Sequence, residues 1–426
     1  MQFEKSLSFA QHLDEVDPLK DFRRRFIIPS INGKEQIYFL GNSLGLQSKS
    51  TKEEIHKILE QWADYGVEAF FMGSQPWLDY HDLLTKPLSE IVGALPHEIT
   101  VMNQLTVNLH LMLVSFYQPQ GKRNKILCES KAFPSDQYML ETHIRQRGLD
   151  PDESIIEVLP RPGEHLLRKE DILSAIEQYK DELALVLFTG LNYYTGQVFD
   201  IKAIIETAHR FGIKAGFDLA HAAGNISLRL HDWDVDFACW CSYKYLNAGP
   251  GAIGGVYIHE RYHKEKNIPR FAGWWGYDKA TRFKMEKGFN PIPTAEGWQL
   301  STPSLLLYAS HKAALDIFEE AGWKNILVKQ KLLSEYVWFM LDGVNDLLTS
   351  KPIEFITPRE PEQRGCQVSL LMLKNGRAVF DALAKSGVMA DWREPDVIRL
   401  APVPLYNTFE EVWQFANILR QILQDQ

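Results

Sequence analysis

Leu183-Ala-Leu-Val-Leu-Phe188 is an unbroken apolar run of strand length, and Thr189-Gly-Leu-Asn-Tyr-Tyr-Thr-Gly196 follows it as a polar, glycine-containing loop. Asp200 then stands as an N-cap before the helical spacing of Ile201–Phe211, Gly212 closes that helix, and Ile213-Lys-Ala-Gly-Phe217 opens the next apolar run. Strand, loop, helix and strand in this order form the repeating unit of a parallel sheet. Its strands are covered on both faces and so read as continuous apolar sequence. Outward from this unit the same pattern recurs at Lys125–Cys128 and Ile155–Leu159 on one side and at Phe237–Cys241 on the other. The middle of the chain is expected to be α/β, a mostly parallel sheet covered by helices.

The flanks read differently. Thr51-Lys-Glu-Glu54 has the form of a capping box, and Ile55, Leu59 and Trp62 follow at helical spacing until Gly66. A second helix is expected from about Asn103, with Leu105, Leu109, Met112 and Phe116 on one face. Near the other end, Pro303 suits the first position of a long helix ending near Gly322, and another helix is expected over Ile326–Leu341. Alternating runs at Gln367–Leu373 and Val397–Val403 precede Thr408-x-x-Glu411, a capping box opening a last helix through Val412, Phe415, Leu419 and Ile422. This is the pattern of a smaller α+β unit. The expected division is a large domain over 50–305 and a small one made of 1–49 and 306–426, packed together because no flexible linker separates them.

Across 426 residues, 46 Lys+Arg stand against 55 Asp+Glu, a net charge of −9, with 45% hydrophobic residues. That apolar content suffices for a large core and excludes general disorder. The acidic balance argues against nucleic-acid and membrane-surface partners, which call for clustered Lys and Arg. No apolar run approaches the 18 residues of a membrane span. Met1–Phe9 lacks the cationic start and apolar stretch of a secretory signal, so the cytoplasm is the expected compartment. Cys128, Cys239, Cys241 and Cys366 are too few for a disulfide framework. Cys239 and Cys241 share a strand face, but no second Cys/His cluster follows at ligand spacing, so no metal is expected.

In open parallel sheets, ligands sit beyond the carboxyl ends of the strands. Three such ends carry chemistry: the Thr189–Gly196 loop, Asp218 with His221, and Lys244 followed by the loop Asn247-Ala-Gly-Pro-Gly251. Taken singly, each has an ordinary reading: Asp as a cap or turn residue, Lys as a solvated loop residue, His as a satisfied buried imidazole. Together, a lysine and a carboxylate on neighbouring strand ends are what pyridoxal phosphate requires. The amine bonds the aldehyde, and the carboxylate keeps the pyridine nitrogen protonated so that the ring accepts electrons.

Several longer stretches carry a resemblance. Tyr38-Phe-Leu-Gly-Asn-Ser-Leu-Gly-Leu46, Phe133-Pro-Ser-Asp136, Gly216-Phe-Asp-Leu-Ala-His-Ala222, Asp236-Phe-Ala-Cys-Trp-Cys-Ser-Tyr-Lys-Tyr-Leu-Asn-Ala-Gly249, Thr281-Arg-Phe-Lys-Met285 and Arg399-Leu-Ala-Pro-Val-Pro-Leu-Tyr-Asn-Thr-Phe409 together resemble the kynureninase family from about Tyr38 to the C-terminus. The resemblance implies an aminotransferase-like fold type I and a pyridoxal-phosphate-dependent hydrolase that splits L-kynurenine into anthranilate and L-alanine. It implies Lys244 as the cofactor lysine, Asp218 as the pyridine-nitrogen partner and His221 as a neighbour of the ring. Leu105 and Thr106 match its phosphate-binding helix start, where free N–H groups and the helix dipole favour an anion. Phe133, Pro134, Ser135 and Asp136 match a cofactor-binding motif in which Phe133 stacks on the ring. Tyr243 matches a phosphate ligand that also serves proton transfer, and Thr189 stands where the family often has Ser. Trp274 and Thr302 match residues that a partner subunit contributes, so the resemblance implies a homodimer with shared sites.

For the substrate, the resemblance places Arg399, Ser43, Val67 and Thr302 at the site. A guanidinium suits a substrate carboxylate because it forms two parallel hydrogen bonds to it, although in its apolar context Arg399 also reads as half of a buried ion pair. Family members favouring the 3-hydroxylated substrate carry Asn where this chain has Thr302, in Ser301-Thr302-Pro303-Ser304, and His where it has Val67, in Tyr65-Gly66-Val67-Glu68. Both departures shorten or remove a polar group, so L-kynurenine is the expected better substrate. An aminotransferase shares the Lys/Asp pair and stays an alternative. A cysteine desulfurase would need a catalytic cysteine in a mobile loop, and a non-catalytic scaffold has no chemical need for Lys244, Asp218 and Arg399 together.

Overall fold

The computed structural model describes residues 2–348 and 351–425. Seven strands form the main sheet in the spatial order Ile99–Val101, Gly255–Ile258, Phe237–Trp240, Lys214–Asp218, Leu183–Thr189, Lys125–Glu129 and Ile155–Val158. Gly255–Ile258 runs antiparallel to both of its neighbours, and the other adjacent strands pair in parallel. Period two explains why these strands are apolar throughout. Leu185 and Leu187 join Ile126, Cys239 and Val256 in a core under the helices Leu105–Phe116 and Pro134–Gln146. Val186 and Phe188 point the other way, into a core shared with Ile204 and Ile205 of the helix Ile201–Arg210. Each such side chain, taken fully from water, contributes about 1.5–3 kcal/mol. As expected, Asp200 caps that helix, its side chain accepting the Ala203 N–H at 3.0 Å.

A second core lies around a four-stranded antiparallel sheet ordered Ile353–Phe355, Val368–Met372, Val397–Leu400 and Asp391–Arg393. Ala10 and Leu13 of the N-terminal helix Leu7–Val16 join it, with Leu333 and Leu341 of the helix Trp323–Asp346 and Phe415 and Leu419 of the helix Phe409–Gln424. The capping box at Thr408 forms: the Glu411 N–H donates to the Thr408 hydroxyl at 3.0 Å and the Thr408 N–H to the Glu411 carboxylate at 3.1 Å. Asp14 adds to this helix start by accepting the Phe409 and Glu410 N–H groups, at 2.7 and 2.9 Å. The helix Leu305–Ala321 belongs with the first core, packing through Tyr308, Leu315 and Phe318 and lying against the helices Thr51–Tyr65 and Asp82–Val92.

Four local expectations are corrected. Ser50, not Thr51, is the N-cap of Thr51–Tyr65, and Glu54 pairs with Lys57 at 2.6 Å instead of closing a capping box. Pro303 lies outside the long helix, which starts at Leu305 after Ser304. The following helix is longer than its apolar spacing indicated, running over Trp323–Asp346 directly after Gly322. The Leu59/Trp62 stripe is not an inward face: Ile58 and Gln61 are buried, while Trp62 is 63% exposed. Phe71, Trp274, Phe283 and Met285 are exposed as well, and the Phe283 ring lies 5.9 Å from Phe71 and 5.6 Å from Trp274. Among the described residues, no helix is long and apolar enough to cross a membrane.

Candidate active site

Four neighbouring strands end on one edge of the main sheet with Glu129, Thr189, Asp218 and the Trp240–Lys244 segment. Register aligns them: Thr189 pairs with Asp218, and Asp218 with Cys239. Between these ends and the starts of two helices lies a cavity of about 140 Å³. Thr189, Asp218, His221, Tyr243 and Lys244 line it from the sheet, and Leu105, Thr106, Phe133 and Ser135 from the helix starts.

Lys244 reaches the cavity from a segment held by close backbone packing. The Gly45 N–H donates to the Tyr243 carbonyl at 2.8 Å, and a Cβ on Gly45 would stand 2.3 Å from the Lys244 carbonyl oxygen. The Gly41–Gly45 turn therefore approaches the lysine segment more closely than a larger residue at Gly45 would allow. Ser43 lies in that turn, half-buried, and is not among the residues lining the cavity. The Lys244 Nζ lies 3.1 Å from Nε2 of His221 and makes no ion pair among the described residues. Burial first, and then the Lys244 charge, hold His221 well below the usual imidazole range. A neutral imidazole accepting at Nε2 carries its proton on Nδ1, and that buried atom has no partner.

Asp218 accepts the Ala220 N–H at 2.7 Å, and Asp136 comes beside it from the helix Pro134–Gln146. Burial and the adjacent Asp218 charge push Asp136 well above the carboxylate range, and burial raises Asp218 too, against the Asp136 hydrogen bond and the Lys244 charge, so a proton on the pair favours Asp136. One oxygen of Asp136 is buried without a partner. Pro134 occupies the first turn of its helix, where its missing N–H costs nothing. The neighbouring helix Leu105–Phe116 begins with no side-chain cap, leaving its first N–H groups free, and the Thr106 and Ser135 hydroxyls meet at 2.7 Å. An uncapped helix start, two convergent hydroxyls and a free lysine amine make a site for an anion bearing a reactive carbonyl. Burial holds the Tyr243 phenol above its ordinary pKa, so it stays protonated. Burial also raises the thiols of Cys128, Cys239, Cys241 and Cys366, which leaves none as an activated nucleophile.

Arg399 does not itself line the cavity; it is buried, at 1% exposure, against Tyr193, which does, and the buried ion pair that its apolar context allowed is present. Its Nε donates to Asp391 at 2.6 Å, its Nη2 pairs with the same carboxylate, and its Nη1 donates to the Tyr193 carbonyl. A guanidinium has five N–H groups, so two remain without a partner among the described residues. Asp391 and Glu129 escaped sequence reasoning, and Tyr193 was singled out only as part of the Thr189–Gly196 loop. For Glu129 the signal existed, since it ends an apolar strand as Asp218 does, one residue beyond where hydrophobicity closed the run.

Val67, Trp274 and Thr302 are not brought to this cavity. Val67 is 70% and Trp274 45% exposed, Thr302 is exposed too, and none lines the pocket within one chain.

Residues 328–419 match the family model described as the kynureninase C-terminal domain. Over 421 residues, 99% of each chain, the protein is 52% identical to proteins named kynureninase from Flavobacterium psychrophilum and Flavobacterium johnsoniae. It is 46% identical to the one from Nematostella vectensis, over 97% of this chain and 93% of that one. Among solved structures, the cystine C–S lyase C-DES, described with glycine covalently linked to its pyridoxal-phosphate cofactor, superposes with a TM-score of 0.76 at 19% identity, covering 93% of this chain and 98% of that one. A cysteine desulfurase from Thermococcus onnurineus NA1 gives 0.76 at 18%, covering 96% and 98%. At that identity the likeness concerns the fold alone, the aminotransferase-like fold type I that the sequence resemblance implied. Near-complete alignment at about half identity decides the rest: the chain belongs to the kynureninase family.

Proposed function

We propose that the protein hydrolyses L-kynurenine to anthranilate and L-alanine with pyridoxal phosphate as cofactor. The observation that carries this reading is Lys244, without a carboxylate partner among the described residues, beside neutral His221 and across from the Asp136/Asp218 pair, in a chain aligned end to end with kynureninases. The residues fit the cofactor. The uncapped helix start at Leu105 and Thr106, with the Ser135 hydroxyl, suits its phosphate, and Asp218 suits its ring nitrogen. The partnerless atoms of Asp136 and His221 await a polar group, and Phe133 offers an aromatic face.

Bound there, pyridoxal phosphate supplies an aldehyde for the lysine and a ring that accepts electrons from a carbon being deprotonated or cleaved. The chain's own groups do the rest. Lys244 would serve as the base that removes the proton at the substrate Cα. Asp218 holds positive charge at the ring nitrogen, and Asp136 lends it a proton-bearing neighbour. Tyr243 and Lys244 move protons while water adds to the γ-carbonyl and the Cβ–Cγ bond breaks. Arg399 orients the substrate carboxylate with its two remaining N–H groups, its position fixed by Asp391 and Tyr193.

A second copy completes the site. The exposed Phe71–Phe283–Trp274 surface forms an apolar face that one chain leaves uncovered, and a homodimer buries it while bringing Trp274 and Thr302 to the neighbouring cavity. Val67 removes and Thr302 shortens a polar group that could hold a ring hydroxyl, so kynurenine is preferred to its 3-hydroxylated form. A large unit over 50–305 and a small unit of 1–49 and 306–426 are supported by the second core, drawn only from the latter two stretches, while the first core also takes in Leu19, Phe26, Tyr406 and the helix Leu305–Ala321. The cytoplasm is the proposed compartment. Appearance of anthranilate fluorescence on mixing the cofactor-loaded protein with L-kynurenine tests the activity, and its absence would refute it.

A further inference from the structure

Glu129 ends the strand Lys125–Glu129 at the same edge as Thr189 and Asp218, is 1% exposed, and has no part in the steps above. Its carboxylate takes three donors. Oε2 accepts the Thr189 N–H at 3.0 Å, and Oε1 accepts the Thr189 hydroxyl at 2.6 Å and the Asn192 amide at 3.2 Å. Asn192 passes the constraint on, because its Oδ1 accepts the N–H groups of Tyr194 and Thr195, both at 3.0 Å, and so shapes the loop 190–197. The carbonyls of that loop are what the second sheet grips. Arg399 Nη1 and Gln367 Nε2 donate to the Tyr193 carbonyl, the latter at 2.9 Å, and the Ser369 hydroxyl donates to that of Tyr194 at 2.7 Å. The Tyr193 ring lies edge-on to Phe133 at 5.2 Å, closing the path back to the cavity.

We propose that Glu129 is a positioning residue that joins the cofactor-side hydroxyl of Thr189 to the substrate-side guanidinium of Arg399 through Asn192 and the Tyr193 carbonyl. It rests on the reading of Thr189 and Arg399 as cofactor and substrate contacts. The chemistry of the donor set explains the residue type. Three donors converge on one buried side chain, and a carboxylate is acceptor-only, whereas Gln in either orientation would turn an N–H toward a donor, the Thr189 N–H or the Asn192 amide. Burial pushes the Glu129 carboxyl up to about 7, and the three hydrogen-bond donors work against that rise by favouring the ionised form.

The test compares Glu129→Gln, Asn192→Ala, the double variant and Arg399→Lys as holoenzymes, reading KM, kcat and the pyridoxal-phosphate dissociation constant. Glu129→Gln should raise both KM and the cofactor dissociation constant roughly ten-fold, the scale of one buried hydrogen bond, with kcat within about three-fold. Asn192→Ala should raise KM alone, and the double variant should have a KM no higher than the larger single value. Arg399→Lys, with Glu129 intact, should raise KM. Glu129→Gln constants within about two-fold of the parent, with KM raised in Arg399→Lys, would overturn the role of Glu129 and leave the Arg399 reading standing. Additive KM effects would overturn the relay through Asn192, and an unchanged KM in Arg399→Lys would overturn its substrate half. Should Glu129→Gln fail to fold, Glu129→Asp keeps the charge and shortens the reach, and the same two constants must rise together.

Discussion

The Nζ of Lys244 lies 3.1 Å from the Nε2 of His221, with both side chains buried and the imidazole held neutral. The amine is thus poised by a hydrogen bond and not locked in an ion pair, as a group must be that first bonds a carbonyl and later carries a proton.

Lys244→Ala should abolish both turnover and the visible absorbance of lysine-bound cofactor, while the far-UV circular dichroism stays that of the parent. Retention of absorbance and turnover would move the cofactor site elsewhere.

Asp218→Ala should lower kcat about 100- to 1,000-fold, the scale of removing one preorganised electrostatic partner, and weaken cofactor binding. The melting temperature should change far less. Asp136→Asn should be milder than Asp136→Ala, because Asp136 is held in its neutral form and Asn mimics it. Near-normal turnover in Asp218→Ala would refute its role as the ring-nitrogen partner.

Arg399→Lys keeps charge but loses the planar fork, and KM should rise about 10- to 100-fold, the worth of a charge-assisted hydrogen bond. Asp391→Ala strips a buried guanidinium of its counter-charge and should cost about 3–5 kcal/mol of stability by denaturant titration. Unchanged KM in the first and unchanged stability in the second would make Arg399 neither a substrate contact nor a buried ion-pair partner.

Phe283→Glu places a charge in the exposed cluster with Phe71 and Trp274. Sedimentation should show a folded monomer, and activity should be lost with the dimer. A fully active monomer would contradict shared sites.

For substrate choice, kcat/KM should favour L-kynurenine over 3-hydroxykynurenine on one preparation. A site that hydrogen-bonds a substrate hydroxyl gains strong selectivity for it, and Val67 cannot supply such a bond. A clear preference for the hydroxylated compound would show that Val67 and Thr302 do not set the choice.

The strands were legible because burial on both faces writes itself as uninterrupted apolar sequence, and Asp218 and Lys244 stood out against it. Helix starts were less so. Ser50 and Thr51 are both capping residues, and Pro303 suits a first turn as well as the turn just outside it. The Trp62 stripe has true helical spacing but faces outward, since periodicity tells that a face is apolar and not what covers it. Arg399 was visible, yet its partners Asp391 and Tyr193 were not, because the Asp391–Arg399 pairing is set by strand register and the Tyr193 contact by the packing of two sheets.

The central claim, hydrolytic cleavage of kynurenine at Lys244, is tested most directly by product stoichiometry with L-kynurenine, with and without an added keto acid. Anthranilate and alanine should appear in equal amounts whether or not the keto acid is present. Turnover that requires the keto acid and aminates it, without anthranilate release, would contradict the claim and make the protein an aminotransferase.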